Sequence, residues 1–216
     1  MAYATLLTSM KLRLGRRAAS FLDSDFLAEM ILAQERLEQA AFLPRFLKKT
    51  SGDEVTTAGE FVVSALPPAG FLRLWDDMPL SYDDEGGNEH EAKKVDTYQE
   101  LVSKYNAGIA TGIIYFYFDP SNNTFHIRPE QSRDVTFRCR YFGADTVLSG
   151  ANDNLWTAKA GELLMAEAGL MIASSLRDTE RMQFFATLQQ GQRNKLIRAD
   201  EAEAQAGSDY TMGEPD

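Results

Sequence analysis

Residues 152–205 read NDNLWTAKAGELLMAEAGLMIASSLRDTERMQFFATLQQGQRNKLIRADEAEAQ. Apolar side chains recur along one face of this stretch, charged side chains recur along the other, and the stretch contains no proline. This pattern predicts a long helical segment. Asp153 or Asn154 can cap a first helix that runs to about Leu176. The segment therefore favours a fold built on packed helices.

A second helix is predicted after a short break at residues 178–180. It spans Arg181–Glu203, and Gly191 is a candidate kink because glycine costs up to about 1 kcal/mol inside a helix. The remaining residues, 205–216, are polar and acidic and show no periodicity of their own. A helix that carries such a peptide away from the body usually delivers it to another chain. We therefore expect a role in assembly rather than in catalysis.

The first fifty residues also show helical periodicity. A short helix is predicted over residues 3–14, and Gly15 suits its C-cap. A second helix is predicted to begin with Asp23 or Ser24 as its N-cap. Pro44 ends or bends that helix because proline cannot continue the hydrogen-bond ladder.

Between the helical ends, the apolar period changes from 3.6 residues to 2. Residues 134–142 alternate strictly, which predicts a strand with Val135, Phe137, Cys139 and Tyr141 facing one way. The other predicted elements are strands at Glu54–Ala65, Phe71–Trp75, Ile113–Phe118 and Thr124–Arg128, and a short helix at Val95–Tyr105.

The order of these elements predicts an α+β fold, in which a helical bundle carries an inserted β-rich module and an extended C-terminal tail. We assign residues 1–50 to the N-terminal helices and residues 51–150 to the β-rich insertion. Residues 151–204 form the C-terminal helical hairpin, and residues 205–216 form the tail. Together they are expected to make a single domain.

The composition limits the possible functions. The chain has 22 basic and 32 acidic residues, a formal net charge of −10. Such a charge disfavours binding nucleic acid over a broad surface, although it suits a passage through which DNA slides. Apolar runs are too short to span a membrane, the N-terminal stretch lacks signal-peptide features, and there is one cysteine. We therefore expect a protein made in a reducing cytoplasm.

Little in the sequence indicates catalysis, because it has no Walker A, Rossmann or GxSxG motif. His90 lies in the acidic stretch Asp76–Glu91, which we expect to be a mobile, projecting loop; a metal site is the alternative. His126 is expected to serve packing or to lie at the surface. Cys139 is expected to be a buried structural thiol rather than a nucleophile. We assign no catalytic, cofactor-binding or metal-binding residue.

Five residues are candidates for contacts with other chains. Arg13, Arg16 and Arg17 form a basic group that could meet phosphate or a carboxylate-rich surface, or could be a solvated helix end. Trp75 is a candidate because tryptophan is enriched at interfaces, and burial in the core is the alternative. Gly169 lies among small residues that permit close helix approach, and we expect it in the wall between adjacent subunits.

Two parts of the sequence resemble one family. The first has AQERLE at residues 33–38 and FLPRFL at residues 42–47; the second has NLW at residues 154–156 and RDTER at residues 177–181. Together they resemble the opening and the closing helical hairpin of head-to-tail adaptor, or head completion, proteins of tailed bacteriophages. Arg45 stands where that family often has tryptophan.

The resemblance implies a structural virion protein that is not an enzyme and needs no cofactor. Such proteins form a ring of identical subunits, usually a dodecamer, that docks beneath the portal, joins the capsid to the tail or nozzle protein, and lines the DNA channel. Assembly takes place in the host cytoplasm, without membrane. The C-terminal extension is implied to bind the portal through Ser208, Asp209, Tyr210, Thr211 and Met212. Another assembly or interaction module with a helical bundle, or an enzyme with dispersed catalytic residues, is the alternative.

Overall fold

The computed structural model describes residues 2–63, 65–76, 78–105, 112–129, 131–150 and 153–208. The chain divides into two compact units. The helical unit combines Met1–Leu47 with Asp145–Asp216, and the β unit is Lys48–Ala144. Helices and sheets are both well represented, which confirms the predicted α+β fold.

Helices of the first unit surround one central helix. The α-helices of the described residues are α1 Tyr3–Leu14, α2 Asp23–Glu38, α3 Tyr98–Tyr105, α4 Leu155–Ser175 and α5 Thr179–Ser208. In the helical unit, α4 packs against α1, α2 and α5, which explains why it is apolar nearly all round. Within the described residues, no helix combines the length and the apolar character that crossing a bilayer requires.

The N-terminal helices begin close to their predicted positions. The helix over residues 3–14 is confirmed, and Gly15 follows it with a φ of 62°, as a C-cap glycine should. The predicted N-caps of α2, Asp23 and Ser24, are wrong because both residues are already helical. Leu22 is the N-cap residue, and its N–H donates to Asp25 Oδ2 at 2.7 Å.

In the C-terminal hairpin, the cap of the first helix is confirmed, and the predicted kink is not found. Asn154 accepts a hydrogen bond from Thr157 N at 3.0 Å at the start of α4. The helix α5 is continuous through Gly191, whereas α4 has a non-helical backbone at Ala160 (φ −135°, ψ 31°). Helix α5 also continues to Ser208, beyond its predicted end.

Within the described residues, the strands of the β unit form two sheets. The strands are β1 Lys48–Thr50, β2 Glu54–Thr56, β3 Val62–Val63, β4 Phe71–Leu74, β5 Leu80–Asp83, β6 Glu89–Glu91, β7 Lys93–Lys94, β8 Tyr115–Asp119, β9 Thr124–Arg128 and β10 Val135–Gly143. One sheet has the order β1-β10-β5-β6, with β2 and β4 also paired to β10. The other has the order β3-β9-β8-β7, and its β7–β8 pair is parallel.

Strand β10 is the centre of the larger sheet and follows the predicted alternation. Val135, Phe137, Cys139 and Tyr141 are all buried. They join side chains of the smaller sheet in one apolar core. Its other members include Val63, Leu66, Leu80, Tyr82, Ile114, Phe116, Phe125 and Ile127.

The acidic stretch over residues 76–91 is not the loop that its composition predicts. It contains β5 and β6, which form an antiparallel hairpin with Tyr82 opposite His90. Arg138 on β10 supplies the missing charge, because its Nη1 lies 2.6 Å from Asp83 Oδ1 and its Nε lies 2.6 Å from Asp53 Oδ1. The carboxylates are thus partly neutralised by a residue distant in sequence.

Candidate assembly surfaces

Two of the motif-like segments meet inside the helical unit. Glu38 Oε1 accepts hydrogen bonds from Trp156 Nε1 at 2.9 Å and from Asp145 N at 3.1 Å. Trp156 N donates in turn to Asp145 Oδ2 at 3.1 Å. Phe46 packs edge-on against Trp156 with 5.2 Å between ring centroids. The buried indole therefore has both a packing partner and a hydrogen-bond acceptor.

Asn154 extends this arrangement from the α4 cap to α2. Its Nδ2 donates to Gln34 Oε1 at 2.9 Å and to Thr146 O at 2.8 Å. Gln34 Nε2 donates to Glu38 Oε1 at 3.0 Å, which the i, i+4 spacing on one helix face permits. We call Gln34, Glu38, Asp145, Asn154 and Trp156 the Glu38 cluster. Buried polar groups that are satisfied in this way fix one arrangement of the helices.

A second joint connects the end of α1 to the start of α5. Asp178 is buried, and its Oδ2 accepts from Arg181 Nη1 at 2.7 Å and lies 3.1 Å from Arg17 Nη1. The hydrogen bonds from Arg181, together with the nearby charge of Arg17, lower the pKa of Asp178. Arg181 Nε also donates to Arg13 O at 3.2 Å. Arg13 and Arg17 therefore have contacts within the chain, whereas Arg16 is exposed.

Gly169 belongs to the interior of the helical unit. It is buried where α4 faces α5, and a Cβ built on it would come within 2.6 Å of Cδ1 and Cζ of Phe185. Phe185 itself is fully buried. The prediction that Gly169 contacts an adjacent subunit is corrected, because its small size serves the packing of α4 on α5.

Trp75 lines a groove in the β unit and is also packed. Its Nε1 donates to Tyr141 O at 3.0 Å, and Lys48 Nζ lies 4.3 Å from its ring centroid. The side chain is half-buried. The groove has a volume of about 700 Å³ and is also lined by Phe71, Leu72, Leu74, Pro79, Phe118 and Pro120. Trp75 is thus partly packed within the β unit, and its contact with another chain stays a prediction.

The acidic hairpin uses its carboxylates for local structure. Asp84 Oδ1 accepts from Gly86 N and Asn88 N, both at 2.8 Å, and His90 Nε2 lies 2.8 Å from Asp84 Oδ2. The contact with His90, followed by those with Asn88, lowers the pKa of Asp84. Among the residues that the structure describes, no group of three or more His, Cys, Asp or Glu side chains could hold a metal ion.

The other candidate reactive side chains are used in packing. Burial raises the pKa of the Cys139 thiol to about 12, so it is a poor nucleophile. His126 lies on β9 between two tyrosines, with ring centroids 5.0 Å from Tyr98 and 6.3 Å from Tyr117. Both residues have the packing role expected of them.

The far end of α5 is hydrogen-bonded to Arg45, and the residues that follow this contact are exposed. Arg45 N donates to Asp200 Oδ2 at 2.7 Å, and Arg45 Nη1 donates to Asp200 O at 3.4 Å. Residues 201–205 are exposed on every side of the helix. The helix continues for about 12 Å from Asp200 to Ser208. The predicted portal-binding residues 209–212 lie outside the described residues.

Sequence reasoning missed the Glu38 cluster and the role of Asp178. Gln34 gave a signal, because it is a polar residue on the otherwise apolar face of α2. Glu38 gave none, because its partner Trp156 lies 118 residues away. Asp178 has one partner three residues away, Arg181, but its second partner, Arg17, lies across the α1–α5 joint.

Comparison with known proteins gives a family match. Residues 1–211 match the family described as SU10 adaptor protein, which covers both units. No curated protein matches the chain.

Proposed function

The chain belongs to the SU10 adaptor protein family, a family of phage head-to-tail adaptors, and we propose that it docks beneath the portal as a ring. Membership makes it a structural protein of the virion. We propose further that the ring joins the capsid to the tail and that its subunits line the channel through which DNA leaves.

The exposed C-terminal end of α5 supports this proposal most directly. After the contact between Arg45 and Asp200, the helix runs on with exposed residues and leads into the sequence DYTMGEPD at residues 209–216. Tyr210 and Met212 are the large apolar side chains of that segment. Their burial against a partner would offset the entropy that the segment loses when it becomes ordered. We propose that this segment anchors the subunit to the portal protein.

The charge and the two-unit organisation also support the proposal. An excess of acidic over basic residues, 32 against 22, repels the phosphate backbone and lets DNA pass without being retained. The helical unit is assembled from both ends of the chain, so the β unit is carried as an insertion. We propose that residues 1–50 and 151–204 form the bundle of each subunit.

Deleting residues 209–216 tests the portal anchor. The truncated protein is expected to keep its circular dichroism spectrum and to lose co-sedimentation with purified portal rings. Thr211→Ala is the matched control, since it alters the same segment without removing Tyr210 or Met212. Truncated protein that still sediments with the portal would show that another surface makes the contact.

Electron microscopy of the full chain mixed with portal tests the ring. Class averages are expected to show a closed ring of subunits attached to one end of the portal, with twelve subunits as the family resemblance implies. A free monomer that never adds density to the portal would contradict the proposal.

A further inference from the structure

One end of the helical unit combines positive charge with exposed apolar side chains. We call it the basic end; it consists of Lys11, Leu12, Arg13, Arg16, Arg17, Arg177, Arg181 and Phe184. The contacts of Arg181 with Arg13 and of Arg17 with Asp178 bring its two segments together. The guanidinium carbon of Arg13 also lies 5.7 Å from the centroid of the Phe184 ring. The basic end is therefore one continuous surface.

Its charge is opposite to that of the chain. Residues 11–17 and 177–184 carry six basic and two acidic residues, although the whole chain has a net charge of −10. One of those acids, Asp178, is buried and already shared by two arginines. Arg16 and Arg177 are exposed, and no ion pair is found for either within the described residues. Their charge is available to a partner.

Apolar side chains lie beside this charge. Leu12 is 76% exposed and Phe184 is 47% exposed. Phe184 also lines a groove of about 550 Å³ along α5, together with Thr187, Leu188 and Gly191. DNA offers little to bury against leucine and phenylalanine on this surface, whereas a protein does.

Arg177 occupies a backbone position that favours another residue. Its φ is +52°, and Asp178 N donates to Ala173 O at 3.0 Å, as in a Schellman C-cap. Glycine is the usual residue at such a left-handed position, because a side chain there meets the backbone. Arg177 is exposed at this strained position, and within the described residues no ion pair compensates for the strain.

We infer that the basic end binds an acidic protein surface carrying large apolar side chains, and that this surface belongs to the tail. The assignment to the tail rests on the proposed function. Helix α5 spans about 44 Å from Thr179 to Ser208, so the basic end lies at the opposite end of α5 from the segment proposed to bind the portal. A rod-like hairpin anchored to the portal at one end presents its other end away from the portal.

Charge reversal of the two unpaired arginines tests the inference. The double variant Arg16→Glu with Arg177→Glu, assembled on portal, is titrated with each separately produced tail protein of the phage. Affinity for one tail protein is expected to fall at least about tenfold, and to depend strongly on salt in the unaltered chain. Co-sedimentation with portal is expected to stay within twofold. Lys93→Glu with Lys94→Glu, which reverses the charge of two exposed residues of the β unit, is the control for net charge.

Each outcome separates the inference from the proposed function. Unchanged tail binding by the double variant overturns the inference and leaves portal docking intact. Lost portal binding in that variant, or a failure of every tail protein to bind the unaltered chain, also overturns it. Tight binding of a short DNA duplex that the double variant abolishes would assign the basic end to DNA instead. If the double variant melts early, Leu12→Ser is titrated in its place, with the same loss expected.

Arg177→Gly gives an independent test, because it should move two measurements in opposite directions. Removing the strained side chain is expected to raise the thermal unfolding midpoint, while removing the charge weakens tail binding. A variant that is more stable and binds the tail protein as well as before would show that Arg177 has no role in docking.

Discussion

The Glu38 cluster and the basic end both join segments that are far apart in sequence, but they differ in what they leave unsatisfied. In the Glu38 cluster, Trp156 is buried and its N–H groups have acceptors at 2.9 and 3.1 Å. At the basic end, Leu12 is mostly exposed and Arg177 holds a strained backbone. The comparison teaches that motif-like segments serve two purposes. Glu38 and Trp156 build the scaffold, whereas Arg177, from the motif-like segment at residues 177–181, lies on the surface suited to partners.

The largest expected effect comes from removing the buried aromatic ring of the Glu38 cluster. Trp156→Ala should lower the free energy of unfolding of the helical unit by about 3–5 kcal/mol, because it leaves a cavity and deprives Glu38 of a donor. Phe184→Ala at the basic end should cost about 1 kcal/mol or less, since that ring is half-exposed. Urea unfolding followed by circular dichroism measures both.

Equal losses of unfolding free energy in Trp156→Ala and Phe184→Ala would contradict the distinction between scaffold and docking surface. The comparison is sharpened by portal co-sedimentation at a temperature where both variants are folded. Phe184→Ala is expected to retain portal binding there, since the ring belongs to the opposite end of α5.

Two glycines of the hairpin give the next largest contrast. Gly169→Ala should destabilise the helical unit by about 1–3 kcal/mol, because the added methyl group would meet the Phe185 ring. Gly191→Ala is the matched control, since a Cβ there meets no atom within 4 Å. It should raise stability by about 0.5–1 kcal/mol through better helix propensity. Differential scanning calorimetry measures the change in stability of both variants. A Gly169→Ala variant as stable as the unaltered chain would mean that α4 and α5 are less tightly packed than the structure shows.

Features that depend on sequence neighbours were predictable. The Asn154 cap involves Thr157 three residues away, and the alternation of residues 135–141 needs only a strand with one buried face. These local rules gave the helices, the central strand and the α+β class. The predicted kink at Gly191 was wrong because glycine permits a bend without requiring one. Helix α5 is continuous at Gly191, and the helical backbone is broken instead at Ala160 of α4.

Features that depend on distant partners were not predictable. The acidic stretch was expected to repel itself into a loop, yet Arg138 bonds Asp83 from 55 residues away and helps hold the hairpin. No role was predicted for the Glu38 side chain, because its partner, Trp156, is 118 residues away. Arg177 gave no sequence signal, since its left-handed backbone is a property of the turn between α4 and α5. Pairings of this kind arise only when the chain is folded.

The smallest expected effect is a pH dependence at the border of the basic end. Hydrogen bonds from Arg181 lower the pKa of Asp178 in the folded state. The stability contributed by Asp178 is therefore present above its unfolded pKa, near 4, and is lost as the pH falls through the lower folded value. Asp178→Asn should make the decline in stability below about pH 4 shallower than in the unaltered chain.

The measurement needs a probe confined to the helical unit, because other carboxylates titrate in the same range. The chain has two tryptophans, so a Trp75→Phe background leaves Trp156 fluorescence as that probe. Arg181→Gln should also flatten the pH dependence, because it removes the main cause of the lowered pKa, and combining it with Asp178→Asn should add little. Additive changes would show that the two side chains act separately and that the α1–α5 joint is not held by this pair.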